Sequence, residues 1–262
     1  MPTAIMAILN VTPDSFSDGG RFTSPQAAIA EANRLIAEGA DILDIGGEST
    51  RPGAHPVTED VELQRVLPVF QALASQSKVR LSIDTMKPAV AATCLEAGAT
   101  LINDVTGLRD TQMAAVAARH GAGVVIMHTR GTPQTMKELT HYYDLIADIK
   151  TELCPRIHAA RDAGITEIIV DPGIGFAKTP AQSFEVLHRL RELEELGYPI
   201  LIGPSRKSFL GALTGMQPTN ARLEGTLAAA VIGAMNGASI IRVHDVAACR
   251  KALSVVDAVK GA

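Results

Sequence analysis

The chain has 262 residues, 47% of them hydrophobic, and a net charge of −4, which supplies a core for one large domain or two small ones and gives no support to a nucleic-acid binder held by charge. Three cysteines, Cys94, Cys154 and Cys249, stand far apart in no metal-ligand spacing. With an odd cysteine count and no secretory pattern in the opening MPTAIMAILN, a reducing, cytoplasmic setting is expected.

The elements alternate in chain order. A strand at 5–9 (IMAIL) leads into a long connection, 10–23, and a helix-period segment at 25–38 that stops at Gly39. A strand at 41–45 (DILDI) leads into a second long connection, 46–58, and a helix at 59–75. Strand 80–84 precedes helix 87–97 and Gly98; strand 100–103 precedes a segment ending at Gly121. Strand 123–127 precedes helix 143–163 and Gly164, and strand 167–171 precedes helix 181–196 and Gly197. Strand 199–202, helix 222–236, Gly237 and strand 239–243 complete the series. A glycine after several of the helices is the stop expected where the chain turns left-handed. The apolar run at 225–238 is too short and too glycine-rich for a membrane span.

Eight strands separated by helices predict an α/β chain folded as a (β/α)8 TIM barrel, one domain over 1–262. A doubly wound open sheet is the rival, but no GxGxxG follows the first strand. The connections 10–23 and 46–58 are long enough to be functional, mobile loops.

In such a barrel the active site lies at the C-terminal strand ends, and there the polar residues gather. After the first two strands come NVTPDSFSDGG and GGESTRPGA; the others end in Asp84-Thr85, Asn103-Asp104, Met127-His128, DPGIGFAKT (171–179), GPSRKSF (203–209) and RVHD (242–245). Taken singly, Asp84 and Asp171 read equally well as helix caps, the asparagines as turn residues, the histidines as half-buried structure and the arginines as solvated charges. Those readings weaken when every strand end is polar at once. Asp171 and Asn103 suit a flat heterocycle with an NH/C=O edge, Lys207 adds a donor, and Asn10, Arg242 and His244 suit phosphate oxygens. A hard cation such as Mg²⁺ would bridge phosphates with one or two protein ligands. No Walker A, HExxH or GxSxG pattern occurs.

These stretches together, with SIDT, INDV, SRKS and RVHDV, resemble the dihydropteroate synthases, a pterin-binding enzyme family, in order from residue 6 to 246. The resemblance implies a folate-pathway transferase, usually a homodimer and the target of sulfonamides. It would condense 7,8-dihydropterin-6-ylmethyl diphosphate with 4-aminobenzoate, with Mg²⁺, releasing pyrophosphate. Carried over, Asp84, Asn103, Asp171 and Lys207 would hold the pterin, Arg242 would stack on it, and Thr50 would line its place. Asn10, Arg242 and His244 would hold the diphosphate, and Asn10 the metal. Thr50, Arg51 and Pro52 would form a loop closing over the reacting carbon, and Pro52, Phe176 and Ser208 would frame the aminobenzoate, with a helix beginning near Ser205. Catalysis would fall to Asp84, Asp171, Lys207 and Arg242, while Glu48 braces loop backbone. The alternatives are a tetrahydrofolate-binding methyltransferase module and a catalytically silent pterin-binding protein.

Overall fold

Eight parallel strands close a barrel in sequence order: β1 (Ala4–Asn10), β2 (Ile42–Gly46), β3 (Arg80–Asp84), β4 (Leu101–Asp104), β5 (Gly123–Met127), β6 (Ile168–Asp171), β7 (Ile200–Ile202) and β8 (Ala238–Val243), with β8 paired to β1. The structure is a computed structural model and describes residues 2–12, 25–49, 54–74, 79–215 and 219–262. Thr50, Arg51 and Pro52 lie outside the described residues, as does most of 10–23; the expected mobility of the two long connections therefore lies outside them too.

The helices are α1 (Pro25–Ala37), α2 (Glu59–Ala74), α3 (Pro88–Glu96), α4 (Thr111–His120), α5 (Leu145–Asp162), α6 (Pro180–His188), α7 (Ser208–Thr214), α8 (Leu223–Met235) and α9 (Val246–Gly261). Each strand boundary falls within one residue of the sequence expectation. The six glycine stops, Gly39, Gly98, Gly121, Gly164, Gly197 and Gly237, all have φ between 62° and 107°, where a Cβ is disfavoured. One expected helix is divided. The 181–196 segment forms α6, capped by the reciprocal Thr179–Gln182 box, and then a tighter 3₁₀ stretch over Leu190–Leu196, longer than most such runs.

The strands are buried on both faces, so they read as apolar runs without alternation. Their outer faces pack on the helices. Their inner faces meet in a plug of Met6, Ile42, Leu101, Val125, Ile169, Leu201 and Ile240. Each such side chain contributes about 1.5–3 kcal/mol on full burial. The plug also sets the height of everything above it. A strand repeats its facing every two residues, so one step up from Ile42, Leu101, Ile169 and Ile240 come Asp44, Asn103, Asp171 and Arg242. The apolar plug is the floor on which a polar layer stands.

Candidate active site

The polar layer is tied together across the barrel. Asp44, fully buried, accepts a hydrogen bond from Ser82 Oγ at 2.6 Å on one oxygen. Its other oxygen accepts from Asn103 Nδ2 at 2.8 Å and Arg242 Nε at 2.6 Å. Arg242 also donates from Nη2 to Asp84 Oδ2 at 2.6 Å. Two of its five N–H donors are thus held by acids, which fixes the guanidinium plane over the floor. The second oxygen of Asp84 is buried with no partner. Burial, opposed by Arg242 and reinforced by Asp44, pushes the Asp84 carboxyl up to about 7.

Above this layer opens a cleft of about 1240 Å³. It is lined by Asn10, Asp84, Asn103, Asp171, Arg242 and His244, and also by Phe176, Lys207 and Ser208. Every described residue expected at the site therefore faces one space. Asp171 receives the Gly173 N–H at 2.7 Å on Oδ1, and burial raises its carboxyl above the ordinary range. Lys207 donates to the Ile174 carbonyl, and its ammonium lies 4.5 Å from the centroid of the Phe176 ring, within cation–π range. Burial, opposed by Asp171, brings Lys207 down to about 8. His244 is oriented by Ser205, whose Oγ lies 3.0 Å from Nδ1 and accepts the His244 backbone N–H at 3.2 Å.

One local expectation is corrected. The helix after β7 starts at Ser208, not near Ser205. Arg206 takes a left-handed φ of 56°, which no helix tolerates in its first turn. It is held there by Asp245 and by its N–H on Thr226 Oγ1.

Glu48 does not face substrate space alone; it braces backbone. Its Oε1 accepts the Val57 N–H at 3.3 Å, and its Oε2 pairs with Lys87, which also reaches Glu62 at 2.6 Å. The base of the 46–58 connection is so tied to α2 and to the residue preceding α3.

Sequence reasoning passed over two features. Asp44 falls inside the expected strand 41–45, and only the plug beneath it shows that it points into the barrel. Lys178 stands in DPGIGFAKT with no local signal of a role, and His128 is expected to be half-buried. Both are buried and bonded to each other, with Lys178 Nζ 2.9 Å from His128 Nδ1. Among the described residues no group of three or more His, Cys, Asp or Glu is placed to hold a metal ion.

Residues 6–244 match the family model described as pterin binding enzyme. A dihydropteroate synthase of Synechocystis is 46% identical over 98% of this chain and 90% of its own length. Two solved structures superpose closely. The Yersinia pestis dihydropteroate synthase with a sulfonamide drug complex has a TM-score of 0.95 at 44% identity, covering 100% of this chain and 95% of that one. The Xanthomonas albilineans dihydropteroate synthase with 4-aminobenzoic acid has a TM-score of 0.94 at 46% identity, covering 100% and 94%.

Proposed function

Because the chain belongs to the pterin binding enzyme family, we propose that it is a folate-pathway transferase joining 7,8-dihydropterin-6-ylmethyl diphosphate to 4-aminobenzoate, with release of pyrophosphate and 7,8-dihydropteroate. The observation that carries this reading is Asp84 Oδ1. It is a buried acceptor without a protein partner, above an apolar plug, next in register to Asn103 and sharing the cleft with Asp171. Such a group calls for a ligand that brings N–H donors, and a pterin edge does so.

The roles follow from the chemistry. Asp84, Asn103 and Asp171 receive and orient the pterin, with Lys207 as a cationic donor and Arg242 over its face. Arg242 and His244, on the β8 side, and Asn10, at the end of β1, take the diphosphate and stabilise the charge that develops as the C–O bond breaks. Positive charge left on the methylene carbon is favoured by the ionised acids below it. The aniline nitrogen is nucleophilic as it stands, so no activated serine or cysteine is required. Phe176 and Ser208 frame the aminobenzoate; Thr50, Arg51 and Pro52 complete that reading from the connection after β2. A sulfonamide that mimics aminobenzoate competes for the same space.

We assign Mg²⁺ to Asn10. One amide oxygen, with phosphate oxygens and water, would fit a cation that needs few protein ligands. When bound it neutralises charge on the leaving group. We further propose a homodimer, supported by α8, which exposes Ile232 and Met235 beside half-buried Leu227 and Val231. A cytoplasmic location is supported by three unpaired cysteines. No helix among the described residues is long and apolar enough to cross a membrane.

Incubating the protein with both substrates and Mg²⁺, followed by mass spectrometry, should show 7,8-dihydropteroate and pyrophosphate in equal amounts. Binding of the pterin without turnover would instead identify a silent pterin-binding protein.

A further inference from the structure

Behind the Phe176 side of the cleft lies a polar network that touches no substrate space. Lys178 is 8% exposed, and its Nζ makes three contacts: Nδ1 of His128 at 2.9 Å and the carbonyls of Gly173 and Phe176, both at 3.2 Å. An ammonium has three N–H donors, and here each has an acceptor. Since Lys178 donates to Nδ1, the His128 ring carries its proton on Nε2, which donates to Glu152 at 3.1 Å. Burial and the neighbouring Lys178 charge pull His128 down to about 4, and burial, opposed by Asp171, pulls Lys178 itself down to about 7; the three acceptors around Nζ favour its ammonium form. Glu152 is held in turn by Arg130 Nε at 2.9 Å, and the Arg130 guanidinium lies 3.9 Å over the Tyr142 ring. Tyr142 Oη returns to the same loop, donating to the Ala177 carbonyl at 2.9 Å. Ala177 has a φ of 47°, a conformation that costs a non-glycine residue about 1 kcal/mol or more and persists only where its surroundings hold it.

The network grips three carbonyls of one short loop, at Gly173, Phe176 and Ala177. From that loop Phe176 faces the cleft, while the Ile174 carbonyl accepts from Lys207. We infer that Lys178, backed by His128, Glu152 and Tyr142, is a positioning residue that sets the Phe176 ring for the second substrate and leaves the Asp84–Arg242 side untouched. This rests on the transferase reading above and deepens it by naming what orients the aminobenzoate half of the site.

Lys178→Met keeps the chain length and removes the three donors. With both substrates titrated, the KM for 4-aminobenzoate should rise about tenfold or more, the scale of about 1.4 kcal/mol or more, while the KM for the pterin diphosphate changes about twofold or less. A lysine that serves only general stability would shift both constants alike or lower the melting temperature alone, and either result overturns the inference. Tyr142→Phe is the companion variant, needed if Lys178→Met does not fold. It removes one hydrogen bond from the strained Ala177 and should move the aminobenzoate KM in the same direction, by about threefold; no movement overturns the inference. If the unmodified protein forms no 7,8-dihydropteroate, the transferase reading falls and this inference with it; if it turns over normally and the variants show no split, only the inference falls.

Discussion

Arg242 and Asp44 meet inside the barrel, guanidinium Nε to carboxylate Oδ2 at 2.6 Å, from positions 198 residues apart in the chain. Asp44 also holds Ser82 and Asn103, so one buried acid orients three of its neighbours. Removing one partner of a buried ion pair leaves an uncompensated charge and costs about 3–5 kcal/mol. Asp44→Asn, which sets an amide N–H against donors, should lower unfolding stability in urea by about 3 kcal/mol and weaken binding of a phosphate-free pterin. A loss below about 1 kcal/mol would show that the layer stands without Asp44.

The same pair shows how far the sequence could be read. Strand number, strand ends and the glycine stops are legible because each has a local cause: β-branched runs, polar residues at run ends, and a left-handed turn at each of the six glycines. Asp84, Asn103, Asp171, Lys207 and Arg242 were legible because all five lie at one rim once the barrel is assumed. Asp44 was not. On a strand buried on both faces, inward and outward positions look alike, and only the plug beneath shows that Asp44 points in. Lys178 was hidden for a different reason. The members of its network, His128, Glu152 and Tyr142, come from the residue after β5, from α5 and from the segment between them, and no spacing within DPGIGFAKT announces a contact 50 residues away. The residues 50–53 stand outside the described structure, so the roles given to Thr50, Arg51 and Pro52 rest on resemblance.

Activity should follow a narrow bell against pH. Asp84 sits near 7, and the reaction draws on its ionised form, so kcat/KM should climb as pH rises through about 7. Lys207 sits near 8, and its ammonium is the useful form, so kcat/KM should fall as pH passes through about 8. Asp84→Asn should remove the rising limb along with most of the activity, and Lys207→Gln the falling limb. A profile flat from pH 6 to 9 would contradict both assignments.

Lys87 holds two acids at once, Glu48 and Glu62, and Glu62 is fully buried with Oε1 unpartnered. Lys87→Met would leave both carboxylates without their cation, at a cost of about 3 kcal/mol or more, read as a lower urea midpoint. Glu62→Gln should be far milder, because Glu48 still pairs with the lysine and a charge leaves the interior. If the two variants lose equal stability, the lysine is not the centre of this cluster.

Gly173 is where the loop after β6 leaves room for nothing larger. Its φ is 67°, and a Cβ built there would stand 2.0 Å from the His128 carbonyl oxygen. That oxygen belongs to backbone just beyond β5, so it cannot swing aside as a long side chain would. Gly173 also gives its N–H to Asp171 Oδ1 at 2.7 Å and its carbonyl to Lys178. A methyl group would therefore push the loop away from β5 and disturb both the pterin acid and the positioning lysine. Left-handed strain alone contributes about 1–2 kcal/mol for a residue with a Cβ, and the clash adds to it. Gly173→Ala should lose about 3 kcal/mol of stability and raise the KM for both substrates, unlike Lys178→Met, whose effect is confined to one. Gly121→Ala is the control: its φ is 62°, nothing lies within 4 Å of the added Cβ, and only the strain should appear. Equal losses at the two glycines, measured by chemical denaturation, would show that the His128 carbonyl yields more readily than this packing allows.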